Sequence, residues 1–302
     1  MSTSVYPPIS PDDLIKEEEA SLERELEWLL TSLQGTLISL KSGLQECDTL
    51  LAPREPGSTL VLSSLRSECL KGFVTRVGTR IIKGDIHLRL PSLPPPRGSP
   101  SYRLMLSSSP MAPSFALQQL SSVRNLINQS LDIVDVSLWT GSANDANFIS
   151  GQLRLLFDNL TEAKVALNGW DMHAKWWQDP VDEQTFEPPL PSNVAFHLFI
   201  YEAALHLTLR TLEPANQPPS ESFSGLNLRD RLAAAIGVTK KPDHDEAEEV
   251  FTYRGQEVRV KDRVRVESQD PSLMAIMAKL SALEHSVALS RKALSIVMGE
   301  DE

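Results

Sequence analysis

Apolar residues near the start of the chain recur at Leu22, Leu26, Leu29, Leu33, Leu37, Leu40, Leu44, Cys47 and Leu51. The steps are of three and four residues, a mean of about 3.6, which is the period of one helical face. The stretch "SPDDL" ahead of them supplies a start. Ser10 can cap, Pro11 suits the first turn, and Asp12 and Asp13 complement the positive end of the helix dipole. The spacing therefore predicts one helix from about residue 10 to Leu51, stopping before "APREPG". Two consecutive steps of four around Leu33 break a strict heptad, which favours packing in a globular bundle over a free coiled coil.

The period then changes. "GFVTRVGTRIIKGDIHLRLP" alternates at Phe73, Thr75 and Val77 and again at Ile86, Leu88 and Leu90, with Gly78 and Gly84 as breaks. "YRLML" alternates at Tyr102, Leu104 and Leu106 beyond a Pro/Ser loop at 91–101, so strands are expected in both stretches. Helical spacing returns at Leu117, Leu120, Val123, Ile127, Leu131, Val134 and Leu138, and again from Ile149 to Leu167, where Gly169 suits the end. "PSNVAFHLFIYEAALHLTLRTLEP" reads as a helix near 192–213, capped by Ser192 and stopped by Pro214. Residues 214–249 are Pro- and Ser-rich, then acidic, and read as loops.

Alternation resumes in "FTYRGQEVRVKDRVRVE", with a turn at Arg254–Gly255 and with Val258, Val260, Val264 and Val266 in one phase. The final stretch places Leu273, Ile276, Leu280, Leu283, Val287, Ser290, Leu294 and Val297 on a strict heptad with one polar seam position.

These elements predict an α+β fold: an antiparallel four-helix-type bundle joined to a smaller antiparallel sheet domain built from two distant segments. Residues 10–52, 112–170 and 270–302 would form the bundle, with the N- and C-terminal helices paired. Residues 58–111 and 171–269 would form the sheet domain, including the helix near 192–213. The leucine seam then faces the last helix and the two middle helices of its own chain.

Composition narrows the functional classes. The 302 residues are 41% hydrophobic and 23% charged, with 29 basic and 40 acidic residues and a net charge of −11. A nucleic-acid binder needs the opposite balance. No unbroken apolar run reaches the roughly 18–20 residues of a membrane span. "MSTSVYPPISPDD" has neither a basic start nor an apolar core, so no secretory signal is expected. Cys47 and Cys69 make neither a disulfide framework nor a metal set, and Cys47 falls on the leucine stripe as a core residue. A cytoplasmic protein is expected.

Catalytic signatures are missing: there is no G-x-G-x-x-G, no P-loop, no G-x-S-x-G and no H-E-x-x-H. In "HLFIYEAALH", Glu202 and His206 would share a helical face with His197 nearby, which reads as a surface pair rather than a metal site. "DHDEAEE" at 243–249 lacks the glycine of a calcium loop and reads as a solvated run. No cofactor or metal is called for. Trp176 and Trp177 are candidate anchors for a partner, or else cover a junction between the two halves.

The last strand carries a more specific pattern. Arg259, Lys261, Arg263 and Arg265 occupy alternate positions, and a continuous strand would present them on one face about 6.6 Å apart. Such a row suits an acidic partner or anionic lipid headgroups, while a solvated face that discourages edge pairing is the simpler reading. A hairpin turning at Lys261–Arg263 would split the row in two.

The order of these segments resembles the Rogdi family, the leucine-zipper-like proteins whose fungal members belong to the RAVE complex. The segments that carry the likeness are "LERELEWLL", "LKGFVTRVGTRIIKGDIHLRLP", "LPSNVAFHLFIYEAALHLTLRTL" and "FTYRGQEVRVKDRVRVE" followed by a long helix. The resemblance implies a non-enzymatic cytoplasmic adaptor that promotes assembly of the peripheral and membrane sectors of the vacuolar and endosomal proton ATPase. It implies as partners a large WD-repeat-type subunit, a small ubiquitin-ligase adaptor and peripheral-sector subunits, with at most transient peripheral association with vacuolar or endosomal membranes. The alternatives are a leucine-zipper homo-oligomer with a scaffolding role and a small-molecule binder.

Overall fold

A computed structural model describes residues 10–65, 68–138, 145–169, 176–216 and 244–299. The chain divides into two compact units. The first comprises Met1–Leu50, Ser122–Val165 and Ala275–Glu302, and the second Leu51–Ser121 and Ala166–Met274.

The first unit is built from most of α1 (Pro11–Leu51), α2 (Gln118–Ser137), α3 (Ala146–Asn168) and α4 (Pro271–Met298). Ser10 caps α1: its Oγ accepts from the Asp13 amide at 3.2 Å and donates to the Asp13 carboxylate at 2.7 Å. The leucine stripe is buried from Leu33 onward, through Leu37, Leu40, Leu44 and Cys47. Burial pushes the Cys47 thiol up to about 11, so it is an inert core residue. Opposite charges fasten α1 to its neighbours, Lys41 to Asp135 at 2.6 Å and Glu46 to Lys279. At Gly43 a Cβ would lie 2.7 Å from Leu283 Cδ2, so α1 and α4 pack closely there. Glu284 on α4 accepts from Thr161 Oγ1 at 2.9 Å and from Lys164 on α3.

These helices are not the antiparallel four-helix-type bundle that the periodicity suggests. At 41 residues α1 is about twice as long as α2, with 20, and far longer than α3, with 23. Its leading turns are exposed, Leu14, Ile15 and Leu22 included, and its C-terminal end leads straight into a sheet domain. Without an unbroken apolar run, α4 is still long and apolar enough to cross a membrane by length and composition. Its seam at Leu280, Val287 and Leu294 is fully buried in the unit, while Met274, Leu289 and Ile296 are exposed.

The second unit holds two antiparallel sheets rather than the single small sheet expected from two distant segments. The first comprises β1 (Ser58–Ser63), β2 (Leu70–Val77), β3 (Arg80–Leu88) and β4 (Tyr102–Met105) in that order, with β5 (Phe115–Ala116) also pairing β3. Short connections complete it locally, so it needs no strand from elsewhere. The second comprises β6 (Val194–Tyr201), β7 (Ala204–Pro214), β8 (Val250–Tyr253) and β9 (Gln256–Gln269) in the order β6-β7-β9-β8. Ser92 ties the loop after β3 to this second sheet, its amide donating to the Asp262 carboxylate at 2.9 Å.

The segment 192–213 is therefore a β-hairpin and not a helix. Glu202 and Ala203 form its two-residue turn with φ of 49° and 56°, the left-handed pair of a type I′ turn. Residues 194–201 offer an almost continuous apolar run that periodicity does not separate from a buried helix, whereas Leu205, Leu207 and Leu209 alternate with His206, Thr208 and Arg210, all of them buried. The expected turn at Arg254–Gly255 is present, both residues having positive φ. Of the loop expected over 214–249, residues 217–243 lie outside the described residues.

A candidate interaction surface on the second sheet

The register between β7 and β9 fixes which side chains share a face. His206 pairs with Glu267, Thr208 with Arg265 and Arg210 with Arg263, while Leu207 pairs with Val266 and Leu209 with Val264. The register then shifts: Thr211 pairs with Asp262 but Leu212 with Val260, which leaves Lys261 as an extra residue in a bulge. One extra residue reverses the facing of everything beyond it.

Val258 and Val260 consequently share a face with Arg263 and Arg265, and Val264 and Val266 lie on the opposite face. This corrects both strand expectations. The four valines are not in one phase, and Arg259, Lys261, Arg263 and Arg265 do not form one row. A bulge makes the split, without the hairpin turn considered from the sequence. Arg259 and Lys261 share the side of Glu213, which pairs with Lys261 at 3.4 Å.

The inner face is hydrocarbon: Phe196, Leu198, Ile200, Leu205, Leu207, Leu209, Val264 and Val266 are all buried. The other face carries rings and guanidinium groups. Trp176 lies 5.0 Å from the Phe251 ring and 5.7 Å from Tyr253, in a buried cluster with Leu212, Val258 and Val260. Trp177 is half-buried beside it, 4.9 Å from Phe251. The Arg210 guanidinium stands 4.6 Å over the Trp176 ring and forks onto Glu246 with bonds of 2.6 and 2.7 Å. Arg263 reaches Asp245 and lies 3.6 Å from Glu246. Burial raises the Glu246 pKa, but the Arg210 bonds and the Arg210 and Arg263 charges outweigh it and hold the carboxyl below its ordinary range.

Beyond Arg210 the face continues as a stack. His197 lies 4.7 Å from Phe199, Phe199 lies 5.6 Å from His206, and Tyr201 meets His206 edge-on. Arg265 donates to His206 Nδ1 at 3.2 Å. A guanidinium only donates, so the neutral imidazole carries its proton on Nε2. Burial, and then the Arg210 charge, pushes His197 down to about 4. Burial and the Arg265 charge lower His206 in the same way.

Of the residues singled out from sequence, the structure brings Trp176, Trp177, Arg263 and Arg265 to this face and leaves Arg259 and Lys261 off it. Sequence reasoning missed Arg210, Glu246 and the histidine stack. His197 and His206 belong to two paired strands and Glu202 to the turn between them, so no helical Glu–His face exists. Within "DHDEAEE", Glu246 is not solvated but sits on Arg210. Alternating Leu205, Leu207 and Leu209, with Thr208 and Thr211 between and beside them, was the signal for a strand.

This sheet face thus gathers stacked rings, two histidines held neutral and guanidinium groups paired with carboxylates, much of it buried. The chain belongs to the Rogdi family: the family described as "Rogdi leucine zipper containing protein" matches residues 25–295. It is also similar to "Regulator of V-ATPase in vacuolar membrane protein 2" of Schizosaccharomyces pombe (strain 972 / ATCC 24843), with 22% identity over 290 residues, 87% of this chain and 90% of the relative.

Proposed function

We propose that this protein regulates a vacuolar-type proton ATPase as a non-enzymatic adaptor of a RAVE-type complex, promoting assembly of the peripheral and membrane sectors. The observation that carries this reading is the near full-length similarity to the fission-yeast regulator of V-ATPase, at 87% of this chain. Its partners on this reading are a large WD-repeat-type subunit, a small ubiquitin-ligase adaptor and peripheral-sector subunits. It works in the cytoplasm and associates transiently with vacuolar or endosomal membranes.

The basic residues of β9 supply the electrostatic part of the reading. Arg265 is exposed on the face of the ring stack, while Lys261, paired with Glu213, stands off the other face. An acidic partner would be steered to these cations in a chain of net charge −11. The test is removal of the protein from its native cell, followed by measurement of the membrane-bound fraction of the peripheral sector and of organelle pH. Assembly should fall and luminal pH should rise. Restoration by the unaltered chain but not by Arg265→Glu would assign part of the docking to this face. Unchanged assembly and pH in cells lacking the protein would overturn the function itself.

A further inference from the structure

In the second sheet β6 is an edge strand, paired by β7 on one side and by no strand on the other among the described residues. Successive residues of an antiparallel strand turn their N–H and C=O alternately toward the partner and away from it. Ile200 fixes the phase. Its N–H donates to Gln119 Oε1 at 2.7 Å and its C=O accepts from Gln119 Nε2 at 2.8 Å, so one side-chain amide stands where a neighbouring strand's peptide group would.

Two residues back, Leu198 turns its own N–H and C=O to the same open side. None of the described residues bonds to them there. Leu198 as a residue is buried, and its N–H and C=O are the ladder positions next to those that Gln119 fills at Ile200.

Leu198 borders a cleft of about 580 Å³, walled by Pro113–Gln119 and Gln178–Asp182 and lined also by His197 and Phe199. That volume lies in the range of ordinary ligand sites. Asp179 and Asp182 give the lining two carboxylates, and among the described residues no Lys or Arg lines it. Asp182 is already engaged, accepting from the Gln184 amide at 2.8 Å, whereas Asp179 is exposed and has no ion-pair partner among the described residues. His197, held neutral near pH 7, brings no opposing charge.

We propose that this cleft takes an extended segment of a partner protein, which adds to β6 as a further strand through the Leu198 backbone and sets a lysine or arginine beside Asp179. The Leu198 peptide group, without a partner among the described residues, supplies the ladder and the carboxylate supplies the selection, as in other strand additions to an exposed sheet edge. This goes beyond the proton ATPase reading and stands or falls separately from it.

The test uses the full chain and an equimolar mixture of random hexapeptides, with capture read by mass spectrometry and amide hydrogen exchange read at Leu198. Retained peptides should be enriched in Lys or Arg between apolar residues. A retained peptide should slow exchange at Leu198 by about tenfold or more, and a copy N-methylated on alternate amides should not be retained. Asp179→Lys should abolish most of the retention while leaving the unfolding midpoint unchanged. A Leu198 amide already strongly protected in the free protein would overturn the proposal. So would a mixture retained no better than on a blank support, enrichment of acidic peptides, or protection that maps elsewhere.

Discussion

Arg76 on β2 donates through Nε to Asp270 Oδ2 at 2.6 Å, and both side chains are buried although 194 residues separate them. The same guanidinium donates to the Gly78 carbonyl at 2.5 Å and to Ser272 Oγ. Asp270 in turn caps α4, its carboxylate accepting from the Ser272 amide at 3.0 Å and its carbonyl from the Met274 amide at 3.1 Å. One ion pair therefore couples the first sheet to the start of the last helix. Removing one partner strands a buried charge, which typically costs about 3–5 kcal/mol. Arg76→Ala and Asp270→Asn should each lower the urea midpoint accordingly. Arg76→Lys should recover little, because an ammonium cannot serve all three acceptors at the guanidinium's positions.

The same pair gives a pH dependence with a definite sign. Burial raises the Asp270 pKa, but the Arg76 bond and charge and the Ser272 bonds outweigh it and hold the carboxyl below the ordinary aspartate range. Its contribution to stability is thus complete above the unfolded value, near 3.9, and is lost as pH falls through the lower folded value. The stability gap between the unaltered protein and Asp270→Asn should be constant near neutrality and should shrink only in strong acid. A gap that already closes near pH 6 would contradict this assignment.

The histidine stack acts in a higher window. His197 titrates near 4 when folded and near 6.5 when unfolded, so folding favours its neutral form. That stability is present above about pH 6.5 and is lost as pH falls toward 4, with a slope approaching about 1.4 kcal/mol per pH unit. His206 adds a term of the same sign. Unfolding midpoints measured between about pH 7 and pH 5 should fall steeply for the unaltered chain and less steeply for His197→Gln.

The turn of the β6–β7 hairpin is improvable. Glu202 and Ala203 hold left-handed φ values that disfavour residues with a Cβ, by about 1 kcal/mol or more each. Replacing the pair by Asn-Gly, the favoured type I′ dipeptide, should raise stability by about 1 kcal/mol. In a helix spanning 192–213 the same change would destabilise, since glycine costs about 1 kcal/mol relative to alanine in a helix interior. The sign of the shift in the urea midpoint decides between the two structures.

Cations on the two faces of β9 and its neighbour should differ sharply in weight. Arg210 is buried between Trp176 and Glu246, and Arg210→Ala leaves that carboxylate without its fork, at a cost of about 3 kcal/mol. Lys261 pairs with Glu213 in partly exposed surroundings, so Lys261→Ala should cost under about 1 kcal/mol. Trp176 fluorescence should shift for the first variant and stay constant for the second.

The four helices and the strands around 70–90, 102–106 and 251–266 were legible in the sequence from apolar residues recurring at helical or alternate spacing. Leu33, Leu37, Leu44 and Cys47 record that spacing directly, and the Ser10 cap and Arg254–Gly255 turn are local chemistry that needs no distant partner. β1 was not among the expected strands although its buried Leu60 and Leu62 alternate with exposed Thr59 and Val61. Tertiary structure decided the β6–β7 hairpin and the bulge, where both faces of the sheet are covered. Residues 194–201, a nearly continuous apolar run, became a strand through pairing with β7, while the alternation of Leu205, Leu207 and Leu209 in β7 was already present in the sequence. The bulge at Lys261 was hidden similarly, since Val258 and Val260 enter the Trp176 cluster on one face while Val264 and Val266 enter the hydrocarbon core on the other. The valines look alike in sequence because both environments exclude water, and only the register against Thr211 and Leu212 separates Arg263 and Arg265 from Arg259 and Lys261.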